Sequence, residues 1–170
     1  MIKTSLDFET YSECDIRKAG AWAYATHEST RVLCMAYAYN EDAPQLWLPN
    51  KTLPDFLSDP NQYEIHAWNS FFEWVIWTHV LKLPTPPITQ WYDTASLASA
   101  MALPRSLGEC GYVLGMPEDK MKNKRGYYLI SKLSKPHKEN DDPELLKEMY
   151  AYCKQDVITE RAISKKLCNL

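Results

Sequence analysis

Ile2-Lys3-Thr4-Ser5-Leu6-Asp7-Phe8-Glu9-Thr10 opens the chain, and its reading decides the fold. Ile2 to Phe8 reads as a buried strand, with β-branched and apolar residues running up to the polar Thr10-Tyr11-Ser12. Side chains alternate along a strand, so Asp7 and Glu9 project to one face while Leu6 and Phe8 project to the other. Two carboxylates side by side at a strand's carboxyl end repel unless something positive lies between them, and hard divalent cations take oxygen ligands. Asp-x-Glu also occurs in solvated turns, so the rest of the chain has to decide between a turn and a metal site.

The bulk properties narrow the choice. At 170 residues the chain is expected to form one domain, residues 1–170, large enough to bury a substantial core. Its 45% hydrophobic and 24% charged content is that of a globular protein. A net charge of −3 argues against a passive polyanion-coating protein but not against an enzyme that cuts nucleic acid, whose acids gather at a metal. Cys14, Cys34, Cys110, Cys153 and Cys168 are odd in number and hold no Cys-x-x-Cys pair, which fits reduced thiols. No signal peptide is apparent, and the apolar run from Phe71 to Leu83 is too short and too interrupted to span a bilayer. The expectation is a soluble, cytoplasmic protein without a membrane partner. His27, His66, His79 and His137 are scattered without metal-ligand spacing.

Further strands are expected at 31–39, 44–48, 63–68 and 88–92, with the first three elements forming an antiparallel meander. Helices are expected at 53–58, 70–81, from Thr94 to Leu103, from about Ser106 to Leu114, and from Pro143 to about Leu167. The last has the strongest start signal, with Asp142 at the cap, Pro143 at the first helical position and Glu144 in the first turn. Strands first, then strand–helix alternation, predict an α/β sandwich around a mixed sheet. Lys120 to Lys138 contains seven Lys or Arg and no acid. It reads either as a solvated surface loop or as a phosphate-contacting one.

Three separated pairs share one property. Asp7 and Glu9 are two apart on a strand, Asn69 and Glu73 are four apart at a helix start, and Tyr152 and Asp156 are four apart on the last helix. Each spacing puts both members on one face of its element. Carboxylates converging from such elements form an oxygen cage for two divalent ions, which suits phosphoryl chemistry.

These motifs resemble those of the DEDD (DnaQ-like) 3′→5′ exonucleases. Asp7-Phe8-Glu9 is similar to the family's first motif, and Asn69-Ser70-Phe71-Phe72-Glu73 to its Asn-x-x-Phe-Asp. Tyr152-Cys153-Lys154-Gln155-Asp156 is similar to its Tyr-x-x-x-Asp. The Tyr form marks the branch that holds the proofreading domains of family A DNA polymerases. The wider wording looks closest to those of bacteriophages, through Asp7 to Ser12, Lys18-Ala19-Gly20-Ala21, Ser134-Lys135-Pro136 and Tyr152 to Val157. The resemblance covers nearly the whole chain. It departs in one place: Glu73 stands where the family usually has Asp, and Asp93 is a rival fourth carboxylate whose other reading is a helix cap.

The resemblance implies a ribonuclease H-like sandwich with a five-stranded mixed sheet flanked by helices. It implies two divalent ions, Mg²⁺ or Mn²⁺. Asp7 would bridge both, Glu9 and Asp156 would hold the ion on the nucleophile side, and Glu73 would serve the leaving-group side. Tyr152 would orient the attacking water, and nucleoside 5′-monophosphates would leave a DNA 3′ end, preferably single-stranded. Thr10, Asn69, Phe72, Lys122, Lys124 and Arg125 are the candidate substrate contacts. For Phe72 the other reading is core packing, and for Asn69 a helix cap. A polymerase domain in cis or in trans is the implied partner and, for a viral protein, host cytoplasm the implied location. A catalytically weak binding domain of the same fold, or an RNA-trimming relative, are the alternatives.

Overall fold

The computed structural model describes residues 1–121, 125–137 and 141–169. Its centre is β1 (Ile2–Tyr11), which is buried on both faces over most of its length. β2 (Arg31–Tyr39) pairs antiparallel with β1, and β3 (Gln45–Trp47) pairs antiparallel with β2. β4 (Tyr63–Ala67) runs parallel to β1 on the other side, followed by β5 (Trp91–Asp93), parallel to β4. The sheet order β3-β2-β1-β4-β5, antiparallel on one side and parallel on the other, is the expected mixed sheet, and the fold is ribonuclease H-like. The short β2–β3 link closes through Asn40 with φ 44°, a left-handed position that Asn tolerates.

The two sheet faces differ in kind. Leu6 and Phe8 enter a large apolar core with Met35, Tyr37, Phe56, Ile65 and Trp77. That core is covered by α1 (Ile16–Thr26), α2 (Asp55–Ser58) and α3 (Ser70–Val75). α1 is kinked at Gly20, whose φ of 81° is costly for any residue with a Cβ. The opposite face of β2 carries the small Cys34, Ala36 and Ala38, on which Cys153 and Val157 of α7 (Pro143–Leu167) lie directly. α4 (Thr94–Ala100) and α5 (Leu107–Val113) pack on the far half of α7 through Ala98, Leu107, Cys110, Ile163 and Leu167. α7 starts as expected: Asp142 accepts from the amides of Glu144 at 2.9 Å and Leu145 at 3.1 Å, and Pro143 opens the first turn.

Three sequence expectations need correction. The fifth strand is not 88–92: Ile88–Gln90 forms a tight 3₁₀ turn, and pairing begins only at Trp91. Pro86 and Pro87 immediately before it have no N–H for a ladder, and Pro87 instead accepts from the Gln90 amide at 2.9 Å. The helix expected over 70–81 is helical to Val75 and then widens into a π turn over Ile76–Leu81, which leaves Ile76 and Trp77 fully buried. The basic run is not all loop. Gly126–Leu133 is a helix, α6, with Leu129 and Leu133 buried against Leu145 and Met149 of α7. Its apolar stripe was hidden by the lysines on either side.

At the sheet's parallel edge, buried His66 stacks on Tyr92 with ring centroids 4.5 Å apart and planes at 5°. Burial, followed by the charge of Lys3, depresses its pKa to about 4, against the pull of Glu64. A depressed folded-state pKa contributes stability above the ordinary histidine range and loses it as pH falls toward the folded value. Stability therefore falls between pH 6.5 and 4 by a His66 contribution on the order of 1–3 kcal/mol. Urea titrations of His66→Gln across that range should show a flatter profile; a profile parallel to wild type removes His66 as the cause.

Candidate active site

β1 supplies the first two acids. Glu9 is buried, Asp7 is half-buried, and the β1–β2 register slips between Glu9 and Thr10. Such a bulge re-aims side chains at a strand's end. The small residues of β2 explain how a helix reaches these acids, because Cys34, Ala36 and Ala38 let α7 lie close on the sheet. Cys153 Sγ donates to the Asp7 carbonyl at 3.3 Å and accepts from the Ala36 amide at 3.2 Å. That seating brings Tyr152 and Asp156, on either side of Cys153, to the acids of β1. Both are buried, at 2% and 4% exposure, so their face of α7 belongs to the interior.

Glu73 comes from α3 on the other side of β1. Its Oε2 accepts from the Phe8 amide at 3.1 Å, which fixes the carboxyl at the Asp7–Phe8 peptide. Burial first, and the charge of Asp7 second, push its pKa well above the carboxylate range, against the Phe8 hydrogen bond. Tyr152 is pushed far up in the same way, by burial and then by Asp156, Glu9 and Asp7, and its hydroxyl hydrogen-bonds Asp156. Five predicted residues thus meet: Asp7, Glu9, Glu73, Tyr152 and Asp156.

Asp7, Glu9 and Cys153 each offer a ligand atom within 4.8 Å of one another. Burial, with Cys34 next, holds the Cys153 thiol well above its usual range, and its sulfur already bridges two backbone groups. The oxygens would therefore be the donors, a hard set that suits Mg²⁺ or Mn²⁺ rather than a thiophilic ion. A cation between Asp7 and Glu73 would relieve the repulsion that raises the Glu73 pKa.

Asp93 is a cap. Its Oδ1 accepts from the Ser96 amide at 2.9 Å and its Oδ2 from the Ser70 amide at 3.0 Å, so one side chain starts both α4 and α3. Asn69 precedes α3 with φ 64° and makes no side-chain cap bond; its side chain is exposed.

Beside the acids lies a cavity of about 210 Å³, lined by Glu9, Thr10, Tyr24, Phe72, Ile130 and Lys135 among others. Phe72 is half-buried, its ring 6.1 Å from that of Tyr24, so it faces both core and cavity. Thr10 shares a 2.7 Å hydrogen bond with the Tyr24 hydroxyl. Ile130 and Lys135 were not expected there, because α6 itself was not. Arg125 pairs with Glu148 and lies over the Tyr128 ring, 4.7 Å from its centroid. Lys122 and Lys124 fall outside the described residues. A larger cavity, about 430 Å³, opens at the other end of β1 against Lys3, Arg161 and Lys165, away from the acids.

With this geometry in hand, likeness to known proteins becomes informative. The chain is 31% identical over 182 aligned residues to a DNA polymerase of Bacillus phage SP02, an alignment that takes in 96% of the chain. It spans only 27% of that relative's length. A solved structure described as the apo form of a nuclease shares the fold, with a TM-score of 0.58 at 16% identity over 98% of this chain and 72% of the other. No protein-family profile matches the chain. No helix among the described residues is long and apolar enough to cross a membrane.

Proposed function

We propose that the chain is a two-metal-ion 3′→5′ exonuclease of the DEDD type, Tyr branch. It releases nucleoside 5′-monophosphates from DNA 3′ ends and prefers single strands. The observation that carries this reading is the convergence of Asp7, Glu9 and Asp156 on one buried tyrosine at the end of β1, with Glu73 set against Asp7 from the other side. The phage polymerase relative supports DNA as the substrate and a polymerase domain, in cis or in trans, as the partner.

Two divalent cations held by these four carboxylates would supply water activation and charge neutralisation on the scissile phosphate. The chain's own groups supply position. Asp7, whose charge reaches both Glu73 and Tyr152, would be the carboxylate shared by both cations, Glu9 and Asp156 would serve water activation, and Glu73 would serve the leaving group. Tyr152 keeps its proton, because a phenol pushed upward by burial and then by three acids does not ionise near neutrality. It orients water by hydrogen bonding and is no base. Phe72 and Thr10 border the cavity that receives the terminal nucleoside, where an aromatic face accepts any base. Lys135 at the same cavity meets phosphate.

The test is stepwise shortening of a 5′-labelled single strand with mononucleotide release, dependent on Mg²⁺ or Mn²⁺ and arrested by EDTA. Matched DNA and RNA strands run in parallel separate deoxyribonuclease from RNA trimming. Strand binding without metal-dependent turnover, or cleavage at internal bonds, overturns the proposal.

A further inference from the structure

We infer that Gly126, the first residue of α6, is a positioning residue for Tyr152, and that its lack of a side chain is what holds the tyrosine hydroxyl among the acids. The inference rests on the exonuclease reading of the site. A Cβ built on Gly126 would lie 2.1 Å from Cε2 of Tyr152, 2.5 Å from Cζ and 2.8 Å from the hydroxyl oxygen. All three are closer than van der Waals contact allows, so any other residue displaces the ring or the helix.

Nothing else about the position calls for glycine. Gly126 is not among the glycines with positive φ, which are Gly20 and Gly115, and glycine weakens a helix relative to alanine. Close approach of the α6 backbone to the tyrosine tip is the remaining reason.

Both partners are pinned. Tyr152 is 2% exposed and packs with Leu129, Leu133, Leu145 and Met149, so its ring swings only by disturbing that cluster. α6 is anchored beside its start by Arg125 on Glu148, and just past its end by the Ser134 carbonyl, which accepts from the Ser12 amide at 3.2 Å. A methyl group at 126 must therefore move the hydroxyl relative to Asp156, to which it is hydrogen-bonded. The carboxylates stand on β1, α3 and the next turn of α7, and the clash does not involve them.

The experiment is Gly126→Ala, assayed for mononucleotide release from a single-stranded oligodeoxynucleotide with Mn²⁺. The expected result is a fall in kcat on the order of 10- to 100-fold, the cost of misplacing a group by about an ångström. KM for the oligonucleotide and Mn²⁺ affinity by calorimetry should be unchanged. Added to Tyr152→Phe, which already lacks the hydroxyl, the same substitution should cost little more. Unchanged kcat in the single variant, or an equal loss in both backgrounds, overturns the inference. Thermal unfolding supplies a readout independent of activity. Gly126→Ala should lower the Tm of wild type yet leave Tyr152→Ala unchanged, because removing the ring makes room for the methyl. Equal destabilisation in both overturns the inference even should Gly126→Ala alone fail to fold. Wild type without exonuclease activity sinks the functional reading, whereas the Tm comparison still reports on the contact.

Discussion

Asp7→Ala is expected to leave a folded protein without the proposed metal-dependent hydrolysis, with the rate of mononucleotide release down about 10³-fold or more. Three features make this the largest single effect. Asp7 stands where the strand acids, the α3 acid and the α7 pair meet, and its charge acts on both Glu73 and Tyr152. It is half-buried, and its side chain belongs to no core cluster, so removing it costs little packing. The α7 seat survives as well, because Cys153 bonds the carbonyl of Asp7 and not its carboxylate. On the two-ion proposal, no carboxylate would remain to be shared between the ions without Asp7. The measurement is rate against Mn²⁺ concentration for wild type and variant; a variant that reaches the wild-type rate at high Mn²⁺ would mean that Asp7 is not the bridging ligand. Metal-free Asp7→Ala should also unfold no earlier than wild type, since its removal relieves Glu73.

Glu73→Gln separates stability from activity, and in opposite directions. The folded-state pKa of Glu73 is raised, so its neutral form contributes stability that is fully present below the ordinary glutamate range and is lost as pH rises through the folded value. Metal-free wild type is thus penalised at neutral and alkaline pH, where burial and Asp7 both oppose the charge. Glutamine keeps an oxygen to accept the Phe8 amide and removes the charge. Metal-free Glu73→Gln should melt about 2–6 °C above wild type at pH 8, with the gap closing toward pH 4. Saturating Mg²⁺ should raise the Tm of wild type more than that of the variant, because a bound cation does for wild type what the amide does for the variant. Activity should fall about 10²-fold or more. Differential scanning calorimetry at both pH values, with and without Mg²⁺, checks the first part. A variant less stable than wild type at pH 8 would show that Glu73 is ionised and well paired in the metal-free protein.

The opposite signs follow from one arrangement. Acids gathered for a cation are a liability without it, so the metal-free protein is destabilised by the groups that would hold the metal. The extra methylene of Glu73 relative to aspartate lets its carboxyl reach β1 and meet the amide of the Asp7–Phe8 peptide.

Much of the candidate site was legible in the chain itself, because residue spacing on a regular element determines which side chains share a face. Asp7 and Glu9 two apart on a strand, and Tyr152 and Asp156 four apart on a well-capped helix, carry that information without any tertiary contact. The mixed sheet followed in the same way from strand patterns and turn chemistry. The misread elements are those whose local signals conflict with packing. Pro86-Pro87 delayed β5, and the lysines around Gly126–Leu133 masked a helix that exists because α7 covers Leu129 and Leu133.

Other features were decided only by the tertiary structure. Asp93 could read as ligand or cap until both its oxygens met amides of two different helices. Phe72 could read as core or pocket until its ring was seen at the border of both. Cys153 carried no signal as a sequence letter, yet its sulfur seats α7 on β1, and Gly126 gains meaning only from the tyrosine ring that occupies the space of its missing side chain. The physical reason is common to all of them. Periodicity reports which face a residue is on, whereas the distance between two faces is set by the size of what lies between them. Here that is a stripe of Cys and Ala under α7 and a single glycine at the start of α6.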